Sequence, residues 1–247
     1  MKQKRPTGLL GGSFNPAHGG HRRISLSAIE ALGLEELWWL VSPGNPLKPQ
    51  EGMAPLAARL ASAQAQARRS RIVPTAIEAQ LGTRYTADTL RKLVRCYPDR
   101  RFIWIMGADN LMQFDRWQHW RRIASLMPIA VIARPGYDGG ARHAKAMGWL
   151  RRFVRPQSQS RCWTQWRPPA LVLLHFRPDP TSATRLRAAL PDWASPYQDT
   201  LLPTKAPHDR ITRRPLPHGG SCLPLPRLMS PRPPRISGNN RPMRCIS

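Results

Sequence analysis

Gly11-Gly12-Ser13-Phe14-Asn15-Pro16-Ala17-His18-Gly19-Gly20-His21 is the stretch that decides how this chain folds. It follows a short apolar run, Gly8-Leu9-Leu10, that reads as a first strand. It leads into Arg22 to Leu32, whose apolar residues recur at helical spacing. A strand, a glycine turn, paired histidines and a helix start make a phosphate-handling site. The expectation is that Gly11 and Gly12 let the backbone approach an anion. The helix N-terminus adds unpaired N–H groups and the positive end of a dipole. Histidines three residues apart share one face of a first turn and can donate to phosphoryl oxygens. For a lone Gly-Gly pair, a plain strand-to-helix turn with two surface histidines would be the better reading; this spacing favours the site.

Beyond that stretch, the chain alternates strand and helix. Glu36–Val41 is a strand candidate, Pro55 to Arg69 an alanine-rich helix, and Ile72-Val73 an extended piece. Thr86 to Cys96 reads as a helix with Thr86 as its N-cap and Pro98 beyond its end. Arg101–Met106, Ile129–Ala133 and Ala170–Leu174 are near-continuous apolar runs, as central parallel strands require. The alternation predicts an α/β fold, a doubly wound parallel sheet with helices on both faces. Its site should lie at the carboxyl ends of the strands.

Those strand ends carry further motifs. Arg84-Tyr85-Thr86-Ala87-Asp88-Thr89-Leu90, Met106-Gly107-Ala108-Asp109-Asn110-Leu111, Phe114 with Trp117-Gln118-His119-Trp120, Ala133-Arg134-Pro135-Gly136 and Thr181-Ser182-Ala183-Thr184-Arg185-Leu186-Arg187 follow in order. Together with the histidine stretch they resemble the boxes of bacterial nicotinate-nucleotide adenylyltransferases. These belong to the nucleotidyltransferase superfamily with an HxGH box, a relative of the class I aminoacyl-tRNA synthetase fold. The resemblance runs from residue 8 to about residue 190.

The resemblance implies adenylyl transfer from ATP to nicotinate mononucleotide, with Mg²⁺ accompanying ATP. His18 and His21 would bind the α- and β-phosphate oxygens, aided by backbone N–H groups near Gly12, Ser13 and Phe14. Lys48 would add a further positive charge, although Leu47 replaces the histidine the family usually places before it. Ser182, Thr184 and Arg187 would clamp the β- and γ-phosphates. Gly107 would let the nucleotide pack close, Asp109 would accept from the ribose hydroxyls, and Arg134 would border the adenosine. Tyr85 and Thr86 would hold a carboxylate through their amides, and Trp117 would stack on the pyridine ring. Asp88 reads as structural. Asn15 stands where the family commonly has Asp, and the usual final helix is not recognisable beyond Leu190.

Composition bounds this reading. Of 247 residues, 39 are basic and 14 acidic, a net charge of +25 that suits an anionic substrate, a nucleic acid or simply a solvated arginine-rich surface. Cys96, Cys162, Cys222 and Cys245 are widely spaced, which argues against a zinc site or a disulfide framework and for a reducing cytosol. No apolar run reaches the ~18 residues of a membrane span, and the first residues lack a signal-peptide core. A cytoplasmic protein without a membrane partner is the expectation; nucleic acid is not an expected partner.

Residues 204–247 differ in kind, with nine prolines, nine basic residues and one acid, Asp209. They read as a disordered basic tail on a domain of residues 1–203. Trp193, Tyr197, Leu201 and Leu202 should dock on the sheet in place of the missing helix. Two rivals stay open: another adenylyl- or cytidylyltransferase of the superfamily, such as the pantetheine-phosphate enzyme, and a nucleic-acid-binding protein on the same fold.

Overall fold

A computed structural model describes residues 4–44, 52–133, 140, 143–176 and 183–202. Its centre is a seven-stranded sheet in which every paired neighbour is parallel. The strands are β1 (Arg5–Gly12), β2 (Glu36–Val41), β3 (Ile72–Thr75), β4 (Arg100–Gly107), β5 (Ile129–Ile132), β6 (Val154–Arg155) and β7 (Leu171–Leu174), in the spatial order β3-β2-β1-β4-β5-β7-β6.

The continuous apolar runs are explained by burial on both faces. Along β1, Leu9 packs with Trp38, Trp104 and Val131 on one face, while Leu10 packs with Trp39, Ile105 and Ile132 on the other. Helices α1 (Gly19–Leu32) and α2 (Leu56–Ala67) cover the second face through Ile29, Leu32, Leu60 and Ala63. Helix α4 (Thr86–Cys96) covers the first with Leu90 and Leu93, as does α6 (Trp120–Leu126) with Ile123. Two short helices, α3 (Ile77–Leu81) and α5 (Ala108–Leu111), follow β3 and β4. Helices on both faces of a parallel sheet make this the doubly wound fold.

The order reverses between β1 and β4. There the connections leave toward opposite faces, the place at the carboxyl ends of the strands where folds of this kind bind ligands. Helix α1 is held firmly beneath it. Gly33 closes its C-terminus in a left-handed conformation (φ 60), donating to Glu30 O and Ile29 O. Two remaining carbonyls are capped from a distant segment: Ser160 Oγ donates to Ala31 O and Trp163 Nε1 to Leu32 O, each at 2.8 Å. These donors lie on a 3₁₀ helix, Gln157–Gln165, that no sequence signal announced.

Three expectations need correction. Thr86 is not the N-cap of α4; Tyr85 holds that place in extended conformation, and its carbonyl accepts from Asp88 N and Thr89 N. Residues 191–202 do not dock on the sheet: a 3₁₀ turn, Ser195–Tyr197, packs against α2, and Leu201 is 88% exposed. The apolar surface there is too scattered to cover a strand. The expectation of unpaired cysteines also needs correction, because Cys96 and Cys162 are both disulfide-bonded. Lys48, Arg134, Ser182 and the segment from residue 203 onward lie outside the described residues. No described helix is long and apolar enough to cross a membrane.

Candidate active site

The end of β1 carries the histidine loop, and its geometry follows from helix capping. His18 is the N-cap of α1, and its Nδ1 accepts the N–H of Gly20 at 3.2 Å. His21, three residues on, returns the bond: its Nδ1 accepts from His18 N at 3.3 Å. Two orphan donors of the first turn are thus satisfied reciprocally, as in a capping box, with imidazoles in both roles. The ring centroids lie 3.8 Å apart. Both Nδ1 atoms are engaged as acceptors of backbone N–H groups, so a neutral imidazole at either position carries its proton on Nε2.

An aromatic wall backs the pair. Phe14 takes a left-handed backbone (φ 48), stacks on Trp39 at 4.9 Å and tilts against His21 at 4.9 Å. Trp39 Nε1 donates to Ser25 Oγ, which donates to His21 O, so the wall is bolted to the helix it supports. The glycines before it serve this packing. A Cβ on Gly11 would lie 2.6 Å from the Trp104 ring, and one on Gly12 would meet Phe14 at 3.1 Å. Packing alone thus gives Gly11 and Gly12 a steric reason to be glycine. Gly19 is the contrasting case: a Cβ there meets nothing within 4 Å, and nothing in the fold requires glycine.

Asn15 joins three parts of the chain. Its Nδ2 donates to Gly52 O at 3.0 Å, its Oδ1 accepts from Ala54 N at 3.2 Å, and its backbone oxygen accepts from Arg187 Nη1 at 2.6 Å. One carbonyl and one N–H partner settle the orientation of the amide. They also account for the departure from Asp, since a carboxylate cannot donate to Gly52 O. Arg187, 172 residues away in sequence, thereby reaches the histidine loop. Its Nη2 lies 3.5 Å from Thr184 Oγ1 in the helix Ala183–Ala189.

Two buried charged residues escaped the sequence reading. Arg59 in α2 donates to the carbonyls of Ser13, Ser42, Pro43 and Ala54. Burial pulls its pKa below the usual arginine value. The available signal was its place on the helix stripe that also carries Leu60 and Ala63. Glu78 accepts from Thr89 Oγ1 at 3.3 Å and from the Ser42 side chain, while burial lifts its carboxyl above the ordinary range. Ser42 N in turn donates to Gly12 O. The corner Tyr85-Thr86 is therefore tied to the histidine loop through Thr89, Glu78 and Ser42. Tyr85 is itself 36% exposed.

At the end of β4, Gly107 pairs with Ile132 and begins α5, which carries Asp109 in its first turn. Trp117 is half-buried and packs edge-on against Trp104 (6.2 Å) and Phe114 (5.4 Å). Trp104 thus touches both the Gly11 notch and Trp117. Phe114 is fully buried and belongs to the core. Among the described residues, no three His, Cys, Asp or Glu side chains are grouped to hold a metal, and both amide atoms of Asn15 are engaged.

A cytidylyltransferase-like family model matches residues 9–189. A relative from Erythrobacter litoralis (strain HTCC2594), named "Probable nicotinate-nucleotide adenylyltransferase", is 60% identical over 208 residues, which is 84% of this chain and 93% of the relative. A relative of the same name from Gluconobacter oxydans (strain 621H) is 47% identical over 180 residues, 73% of this chain and 92% of its own. The solved structure of Plasmodium falciparum nicotinic acid mononucleotide adenylyltransferase complexed with NaAD superposes with a TM-score of 0.56 at 15% identity, over 74% of this chain and 83% of the other. At that identity it supports the fold. The chain belongs to the cytidylyltransferase-like family, among its bacterial nicotinate-nucleotide adenylyltransferases.

Proposed function

We propose that this chain transfers the adenylyl group of ATP to nicotinate mononucleotide, giving nicotinate adenine dinucleotide and diphosphate in NAD biosynthesis. The observation that carries the reading is the His18–His21 pair on a loop where the sheet order reverses, a loop whose Asn15 carbonyl accepts from Arg187. A phosphate oxygen of the mononucleotide attacks the α-phosphorus of ATP, one P–O bond forms, and the bond to the β-phosphate oxygen breaks. No covalent enzyme intermediate is required. The protein's task is to align two anions and neutralise charge that develops on the phosphoryl oxygens.

In this reading His18 and His21 donate to the α- and β-phosphates, and Arg187 with Ser182 and Thr184 holds the β- and γ-phosphates. Lys48 adds charge from the neighbouring loop. Backbone groups of Gly12, Ser13 and Phe14 complete the phosphate cradle. Asp109 accepts from the ribose, Gly107 gives the nucleotide room, and Arg134 borders the adenosine. Trp117 offers a face to the pyridine ring, and the amides at Tyr85 and Thr86 hold its carboxylate. Mg²⁺ would enter on the phosphates of ATP rather than in a protein cage, in keeping with its preference for phosphate oxygens and water.

The domain would span residues 1–203, with 204–247 as a basic tail, in the cytoplasm where ATP is made available. The disulfides of Cys96 and Cys162 weigh against that compartment, since reducing conditions disfavour such bonds. Alkylation of thiols at the moment of cell lysis decides between them. Diphosphate release with ATP and a panel of nicotinate mononucleotide, nicotinamide mononucleotide and phosphopantetheine tests the activity. Release with nicotinate mononucleotide at a rate well above the others is the expected result. Preference for phosphopantetheine would move the chain to another branch of the superfamily.

A further inference from the structure

Arg59 is 1% exposed and lies on the stripe of α2 that faces the core. A buried cation is costly unless its donors are used. Here Nε donates to Ala54 O at 2.8 Å, Nη1 to Ser13 O at 2.8 Å and to Ser42 O at 2.6 Å, and Nη2 to Pro43 O at 3.2 Å. None of these acceptors is a carboxylate, so carbonyl dipoles from three separate turns solvate the charge. Those turns end β1, end β2 and precede α2. An arginine that only anchored α2 would not need to gather the loops at the carboxyl ends of two strands.

The bond to Ser13 has a directional consequence. A trans peptide is planar, and its C=O and N–H point in opposite senses. Drawing Ser13 O inward onto Arg59 turns the next amide, Phe14 N–H, outward. That N–H donates to no acceptor among the described residues. Phe14 also holds a left-handed backbone (φ 48), an uncommon state for an aromatic residue that a surrounding constraint must maintain. Consecutive N–H groups in such a turn form an anion-binding concavity.

We infer that Arg59 is a positioning residue for phosphoryl transfer: it holds the Ser13 carbonyl inward so that Phe14 N–H faces the phosphate bound beside His18 and His21. This rests on the reaction proposed above. Arg59 touches no substrate and acts through the loop it orders. Lysine keeps the charge but cannot span the four carbonyls with a fork of five donors.

The test compares wild type, Arg59→Lys and Arg59→Gln by turnover and by the Phe14 amide resonance during titration with inorganic diphosphate. In wild type, the Phe14 resonance should move downfield as it donates to the anion. In folded variants that shift should be lost, and kcat should fall roughly 10²-fold or more, the scale of losing one aligned donor. The KM values for both substrates should stay within about threefold, a split that mere loss of packing would not give. Arg59→Lys should recover less than a tenth of wild-type kcat. A folded variant that keeps the Phe14 shift, or keeps kcat within twofold, overturns the proposal. If neither variant folds, the wild-type titration decides, because a Phe14 amide indifferent to diphosphate also overturns it. Failure of the parent reading is separately visible as wild type without diphosphate release, since the amide titration needs no turnover.

Discussion

In the proposed reaction His18 would use one ring for two purposes, its Nδ1 closing the first turn of α1 and its Nε2 serving a phosphate. The two can be separated by substitution. His18→Ala removes both and should lose ~1 kcal/mol of stability with the cap, along with ~10²–10³-fold in turnover. His18→Asn supplies a good N-cap but no equivalent donor. It should therefore melt near wild type and still lose the turnover; melting curves and diphosphate release measured side by side check this. An Asn variant with at least half the wild-type rate would leave His18 as a cap alone. Trp117 has a similar double character, since its edge contacts with Trp104 and Phe114 use part of the ring and its half-burial leaves the rest. Trp117→Ala should raise KM for nicotinate mononucleotide about tenfold, the scale of ~1–3 kcal/mol for a lost stacking face. KM for ATP should change much less. Equal changes in both would make Trp117 a packing residue.

At the level of elements, the corner formed by α3, α4 and the end of β2 turns on Glu78. Burial is the main cause of its raised pKa, opposed by hydrogen bonds from Ser42 and Thr89. A carboxyl whose folded pKa is raised contributes stability in full below its unfolded pKa, near 4.3, and loses it as pH rises through the folded value. Glu78→Gln keeps an acceptor and removes the charge. Its melting temperature, relative to wild type, should therefore climb between pH 4 and pH 8. A difference that stays flat over that range would assign the titration elsewhere. Glu78 was not legible in the sequence and Arg59 only by its place on an apolar helix stripe, because a charged residue on a helix is ordinarily a solvated one and partners distant in sequence reveal the exception. The strands were legible, since runs such as Arg101–Met106 must be buried on two faces and so show no alternation. The histidine loop was legible because capping is local. The segment Gln157–Gln165 was not, as Trp163 and Trp166 follow neither the helical nor the strand period and find their partners on α1 and β4. The steric need at Gly11 was not legible, because the ring that fills its space comes from a strand 93 residues later.

For the molecule as a whole, the described fold ends at residue 202, and its last stretch adds little. No residue from 183 to 202 is buried, and the turn Ser195–Tyr197 touches α2 rather than the sheet. Truncation after Leu202 should leave turnover within twofold and shift the melting temperature by no more than about 2 °C, the low end of the roughly 2–4 °C that follows loss of 1 kcal/mol in a domain of this size. A large fall in either quantity would make the excised segment a working part of the enzyme.

The Trp104 ring that fills the notch at Gly11 has an evolutionary corollary. Neither position can change size alone, because a methyl at 11 strikes the ring and a smaller ring at 104 leaves a void against β1. The same ring supports Trp117, so a drift in one site would be felt at the other. Positions 11, 104 and 117 thus form a heritable unit: among descendants of this chain they should be exchanged together or not at all, and a graft of the phosphate loop into a distant relative should succeed only when the indole travels with it.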